Sequence, residues 1–208
     1  MDHEAERVAL VEAYRALLAE GLIVGKAGNV SVRIADGLLV TPSAVPAAEM
    51  TPRDIAVVPF EGRAEGRPSS EWRFHRDLML ARPDLTAVVH THSPNATAIA
   101  TLRRPIPASH YMVAMAGGKE IPLAPYATFG TAALSEAICR TMASLNACLL
   151  SNHGVVAAGR SLAAAMDLAR EVELLAGIYR MALAAGEPVV LSDAEMDDVL
   201  SAFRDYGR

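Results

Sequence analysis

Residues 86–96 read TAVVHTHSPNA, an apolar run that carries His90 and His92 two positions apart before it breaks at Ser93 and Pro94. The first half reads as a strand, and SPNATAIATL after it as a short helix closed by Pro105 and Pro107. Strand residues two apart project from the same face, so His90 and His92 aim at one point while Thr91 faces away. That geometry suits a metal ion. Neutral imidazole is the commonest metal ligand, and three protein ligands with an open position define a catalytic zinc site. The candidate third ligand is His153, which follows the apolar stretch ACLLSN and precedes Gly154, at a strand end where a turn can present it.

Working outward from that strand, Glu4 to Ala19 carries apolar residues at helical spacing and stops at Gly21. Val30, Val32 and Ile34 alternate, Asp36-Gly37 turns, and Leu38 to Thr41 returns, which is a hairpin by the aspartate-glycine signal. A further strand lies near Ile55 to Pro59. RPSSEWRFHRDLMLARPD reads as a helix with Ser69 or Ser70 as N-cap, closed by Pro83. Residues 110–130, with Gly117-Gly118, Pro122 and Pro125, fit a mixture of short helix, short strand and turn. Thr131 to Ser144 is helical, NACLLSNHGVVAAG is a buried hairpin, Ser161 to Ala184 is one long helix, and a last helix is capped by Ser192 or Asp193. Hairpin-linked strands with helices between groups of them predict a three-layer α/β/α fold with a mixed, largely antiparallel central sheet.

Composition narrows the function. A chain of 208 residues suits one domain over 1–208, and no linker divides it. It is 52% hydrophobic with mean hydropathy +0.24, yet charges interrupt every apolar run. All of those runs fall well short of the ~18 residues a membrane span needs, so no membrane partner is expected. The surplus apolar surface predicts a homo-oligomer. A net charge of −5 without a Lys/Arg cluster argues against nucleic acid and for a small-molecule partner. The N-terminus MDHEAERVAL lacks the basic and apolar regions of a secretory signal, which predicts a cytoplasmic protein. Cys139 and Cys148 form no ligand pattern and are expected as reduced core residues.

Glu71 is the carboxylate that stands out. It sits at the start of a helix behind two serines, and two hydroxyls at a helix N-terminus make a ready anion site. A base beside an anion site and a metal has the parts of an enzyme. Of the other histidines, His75 lies four residues after Glu71 and is either a packed helix residue or a group supporting the site. His3 belongs to the terminus, and His110 precedes Tyr111 in a loop.

Taken together, AGNVSVR, PSSEWRFH, AVVHTHSP, HYMVAMAGG, PYATFGT and SNHG resemble the class II aldolase and adducin family over about residues 5–206. The resemblance implies a mixed sheet with helices on both faces, and a homotetramer whose active sites lie between subunits. It implies that His90, His92 and His153 bind a divalent cation, Zn²⁺ or otherwise Mn²⁺ or Co²⁺. By the same likeness Glu71 binds the resting metal and moves a proton in catalysis. Gly28, Asn29, Ser43, Ala44, Ser69 and Ser70 fall on phosphate-binding positions. Tyr111, from the neighbouring subunit, falls on the tyrosine that acts at the aldehyde oxygen, with Phe129 and Tyr206 enclosing that end.

The activity so implied is reversible cleavage of a ketose 1-phosphate to dihydroxyacetone phosphate and an aldehyde. The substrate would be L-fuculose 1-phosphate or a 5-deoxypentulose or 5-methylthioribulose 1-phosphate. Two positions depart from the pattern. Ala44 stands where a glycine is usual, with less freedom in φ. Lys26 stands where a small hydroxyl residue is usual, either strengthening anion binding or lying solvated on its loop. The rivals within the fold are a sugar-phosphate 4-epimerase, which has aspartate at the position of Glu71, a dehydratase or decarboxylase, and a non-catalytic cytoskeletal domain that has lost its ligands. Outside it stands a three-histidine zinc hydro-lyase with no phosphate site.

Overall fold

A computed structural model describes residues 2–205, so Tyr206 lies outside the described residues. Among the described residues seven strands form one sheet: β1 (Asn29–Ile34), β2 (Gly37–Val40), β3 (Ala56–Pro59), β4 (Ala87–Thr91), β5 (Leu123–Ala124), β6 (Ala147–Leu150) and β7 (Gly154–Gly159). Their spatial order is β3-β2-β1-β4-β7-β6-β5, and every pair is antiparallel except β5 with β6. The helices are α1 (Glu4–Ala19), α2 (Trp72–Ala81), α3 (Pro94–Thr101), α4 (Ala132–Thr141), α5 (Leu162–Ala185) and α6 (Asp193–Asp205).

Alternation along the strands decides which helices cover which face. Leu39, Val89, Leu149, Val155 and Ala157 pack in one apolar cluster with α1, α3 and α5, through residues such as Leu10, Leu17, Ile99 and Val172. Their neighbours Leu38, Val40, Val88, Cys148, Leu150 and Val156 pack in a second cluster with Phe74 and Leu78 of α2 and Leu134 and Ile138 of α4. A sheet with both faces apolar has to be covered on both, and the result is the three-layer α/β/α arrangement with a mixed, largely antiparallel sheet. Cys139 and Cys148 are both free thiols.

Helix ends follow local chemistry. The Thr131 and Ser161 hydroxyls accept from the amides of Leu134 (3.3 Å) and Ala164 (3.1 Å) to start α4 and α5. Ser192 and Glu195 form a reciprocal pair that starts α6. α2 stops at Ala81 because Arg82, the residue before Pro83, is driven out of helical geometry (φ −126°, ψ 83°).

Two local expectations change. Neither Ser69 nor Ser70 caps α2; the helix begins at Trp72 and Glu71 occupies the N-cap position. The Ser69 hydroxyl accepts from the Glu71 amide at 3.3 Å, while the Ser69 amide donates to the Thr41 carbonyl at 3.0 Å. Tertiary contacts have thus drawn the serine away from the cap. In the β1–β2 hairpin the two turn residues are Ala35 and Asp36, and Gly37 already pairs with Ile34 and Pro59. The glycine is required because a Cβ there would lie 2.3 Å from the Val58 carbonyl oxygen of β3.

Candidate metal and phosphate site

β4 runs through the middle of the sheet, with His90 opposite Asn29 of β1 and Val156 of β7. His92 follows one residue past the end of β4, and His153 sits in the turn between β6 and β7. That turn is tied down on both sides. The Ser151 hydroxyl donates to the Ala124 carbonyl at 2.7 Å, and the Asn152 amide to the Ala100 carbonyl at 3.1 Å. The rings of His90, His92 and His153 therefore meet, with centroids 4.8 to 4.9 Å apart and planes crossed by 69°, 73° and 75°. A ligand atom from each lies within 4.8 Å of the others.

The fully buried His90 hydrogen-bonds through Nδ1 to the Val155 carbonyl at 2.9 Å. A carbonyl only accepts, so Nδ1 carries a proton, and Nε2 points into the cluster, 3.0 Å from His92 Nε2. Glu71 completes the arrangement, with Oε2 3.3 Å from His90 Nε2 and Oε1 3.5 Å from His153 Nε2. Burial disfavours the charged form of Glu71. The imidazoles of His90 and His153 and the Asn29 amide outweigh that and hold its carboxyl well below the usual carboxylate range. Burial and the neighbouring imidazoles push His92 and His153 down to about 4, so both rings are neutral at pH 7.

These residues fit a divalent cation. Three imidazoles bring a ring nitrogen each within 4.8 Å of the others, and Glu71 Oε1 is buried without a hydrogen-bond partner among the described residues. Buried acceptors left unpaired cost stability, and a cation at their focus removes that cost.

One cavity of about 350 Å³ joins this centre to the anion-binding candidates. Glu71, His92 and His153 line it together with Lys26, Gly28, Asn29, Ser43, Ala44, Ser69 and Ser70. The segments come from before β1, after β2 and before α2, so the sheet order brings three distant loops to one wall. Gly28 is demanded by its place. Its φ is +76°, and a Cβ would lie 2.6 Å from Ile23 and 2.7 Å from the His90 carbonyl oxygen. Ala44 keeps the glycine-like conformation without the glycine, at φ +63°.

Phe129 also lines the cavity and is 64% exposed at its rim. Tyr111 does not reach it. That residue is 48% exposed and lines a separate apolar groove with Met112, Met115, Val199, Ala202 and Phe203. The lining residues not singled out from sequence include Tyr126 and Asn152. Tyr126 belongs to the PYATFGT motif, and Asn152, at φ +54°, precedes His153 in a tight turn. Both signals were available.

The family model for the class II aldolase and adducin N-terminal domain matches residues 8–180. The 5-methylthioribulose-1-phosphate/5-deoxyribulose-1-phosphate aldolase of Rhodospirillum rubrum is 52% identical over 205 residues, covering 98% of this chain and 93% of that protein. The L-fuculose phosphate aldolase of Escherichia coli K12 is 50% identical over 190 residues, covering 90% of this chain and 88% of that protein. A solved structure of an L-fuculose 1-phosphate aldolase superposes with a TM-score of 0.94 at 38% identity, covering 98% of both chains.

Proposed function

This chain belongs to the class II aldolase and adducin family, and from that premise we propose that it is a metal-dependent aldolase that reversibly cleaves a ketose 1-phosphate to dihydroxyacetone phosphate and an aldehyde. The observation that carries this reading is the single cavity in which Glu71 faces a focus of neutral imidazoles at one end and hydroxyls and amides line the other.

Breaking the C3–C4 bond of such a substrate leaves negative charge next to the C2 carbonyl. A divalent cation at His90, His92 and His153, with Zn²⁺ the proposed ion, supplies Lewis-acid stabilisation of that charge. The chain's own groups do the rest. Asn29, the hydroxyls of Ser43, Ser69 and Ser70, and the backbone at Gly28 and Ala44 hold the phosphate, with the Lys26 ammonium adding charge. Such positioning converts binding energy into orientation of the reacting carbons. Glu71 as a carboxylate removes the C3 proton in condensation; in cleavage it first takes up a proton from solvent and then delivers it to C3, through an Oε1 that has no hydrogen-bond partner among the described residues. Tyr111 exchanges a proton with the C4 oxygen. Because Tyr111 lies outside the cavity of its own chain, this role requires a second subunit, and a homotetramer with shared sites meets that need. The cytoplasm is the proposed compartment.

The aldehyde end meets aromatic side chains, Phe129 from this chain and Tyr111 from its neighbour, which favours a methyl or methylthio terminus over a hydroxylated one. A methylene in such a pocket discriminates by ~1–3 kcal/mol. The test is to incubate the protein with 5-deoxyribulose, 5-methylthioribulose, fuculose and fully hydroxylated ketose 1-phosphates and to measure dihydroxyacetone phosphate. Release from the deoxy compounds at the highest kcat/KM is the expected result. Epimerised pentulose phosphate without cleavage would replace the aldolase reading with the epimerase one.

A further inference from the structure

His75 is fully buried on α2, stacked on Phe74 with ring centroids 4.4 Å apart, and could pass for a packing residue. Its ring nitrogens show otherwise. Nδ1 lies 2.7 Å from the Ser31 hydroxyl, and Nε2 lies 2.5 Å from Asn29 Oδ1. Asn29 in turn donates from Nδ2 to Glu71 Oε2 at 3.1 Å. We infer that Ser31, His75 and Asn29 form a one-way hydrogen-bond relay in which His75 is a positioning residue that fixes how Glu71 meets the substrate.

The direction of the relay follows from what each group can do. Asn29 turns Nδ2 toward the Glu71 carboxyl oxygen, which accepts, and therefore Oδ1 toward His75. Oδ1 also only accepts, so the proton of His75 sits on Nε2. That leaves Nδ1 bare, and the Ser31 hydroxyl donates to it. The opposite tautomer would set two lone pairs against each other at Asn29, or turn its amide over and set Oδ1 against the carboxylate. Burial pushes the His75 pKa down to about 3, which keeps the ring neutral as the relay requires.

The consequence falls on the two oxygens of Glu71. Oε2 accepts from Asn29 Nδ2 and lies 3.3 Å from His90 Nε2, while Oε1 has no hydrogen-bond partner among the described residues. The relay thereby commits Oε2 to the protein and leaves Oε1 for the proton transfer. This use of Oε1 rests on the aldolase reading above, whereas the tautomer of His75 does not.

Two measurements separate them. In protein labelled with ¹⁵N-histidine, the His75 side chain, identified by its loss in His75→Gln, should be neutral with the proton on Nε2 and Nδ1 bare. A proton on Nδ1 overturns the relay whatever the enzyme does. In steady-state kinetics, His75→Phe keeps a ring against Phe74 but deletes both nitrogens, and should lower kcat by ~10–100-fold with KM little changed. His75→Gln places an amide donor near the position of Nε2–H and should recover most of that loss. In the Glu71→Gln background, His75→Phe should cost little further, because the two act through one group. If His75→Gln is as slow as His75→Phe, or if His75→Phe slows the Glu71→Gln variant by the same factor as the wild type, His75 merely packs and the proposal is overturned. Should the wild type cleave no ketose phosphate, the aldolase reading fails while the tautomer result still decides the relay. The tautomer also decides where His75→Phe does not fold.

Discussion

The imidazole cluster and the Tyr111 groove are built on opposite plans. At the cluster, strand register places His90 and, one residue past the strand, His92, and a turn tied to a neighbouring strand and helix places His153, so the facing groups all come from one chain. At the groove, a 3-10 helix over Tyr111–Ala116 and the face of α6 packed beside it set Tyr111, Met115 and Phe203 around an apolar cavity of about 650 Å³. A sheet can finish a metal site by itself. An apolar groove on peripheral helices is a surface that a second copy can cover, and the proposed function needs one there.

The sharpest way to break this comparison is at the end the chain completes alone. Chelation, or His92→Ala, should abolish cleavage, and added Zn²⁺ should restore only the chelated wild type, since loss of one ligand weakens both affinity and geometry. Full turnover in a preparation shown free of metal by elemental analysis would remove the metal from the reaction. Next in size, Glu71→Gln should leave the fold intact and cost ~10²–10⁴-fold in turnover, the range for a general acid–base group. Near wild-type single-turnover rates in that variant would take the proton from Glu71.

A smaller effect probes the unfinished end. Tyr111→Phe keeps the ring and should slow cleavage by about 10²-fold, the lower bound for such a group. Mixing unfolded Tyr111→Phe and Glu71→Gln chains and refolding them together should then recover activity. With random pairing about one site in four would combine an intact Glu71 with an intact Tyr111 from the other chain. No recovery above the sum of the two variants, in mixtures shown to contain hybrid oligomers, would mean that the two residues do not share a site across subunits.

What could be read from sequence divides along the same line. The His90–His92 pair was legible because a strand's period of two leaves no choice of face, and the SNHG turn because an apolar strand ends there. Both sheet faces followed from alternation and apolar runs. The start of α2 was not legible, since Ser69 is drawn off by Thr41, a partner far away in sequence. Nor was the reason for Gly37, which is set by β3 and not by the turn. His75 hid for the same cause. Its partners, Ser31 and Asn29, stand 44 and 46 residues earlier on β1, and only the packing of α2 on the sheet brings them within reach. Tyr111 was placed by resemblance, and among the described residues its ring packs beside His110 and Phe203, away from the cavity of its own chain.

The smallest effect is expected at Ala44, on the cavity wall proposed to hold phosphate. Its φ of +63° lies in the left-handed region, which costs an L-residue with a Cβ about 1–2 kcal/mol. Glycine adopts that backbone freely but gives the unfolded chain more conformations to lose, a cost of about 0.4–1 kcal/mol in the other direction. The difference favours the folded Ala44→Gly protein by about 1 kcal/mol, to be measured as a shift in the denaturant midpoint with an unchanged slope. Since the backbone conformation is already the one glycine prefers, the cavity wall keeps its shape, and KM for a ketose 1-phosphate should stay close to the wild-type value. A loss of stability in Ala44→Gly would mean that the alanine methyl packs well enough to offset the strain. A large rise in KM with stability gained would mean that this stiff residue helps to preorganise the phosphate end, as the imposed register does for the metal end.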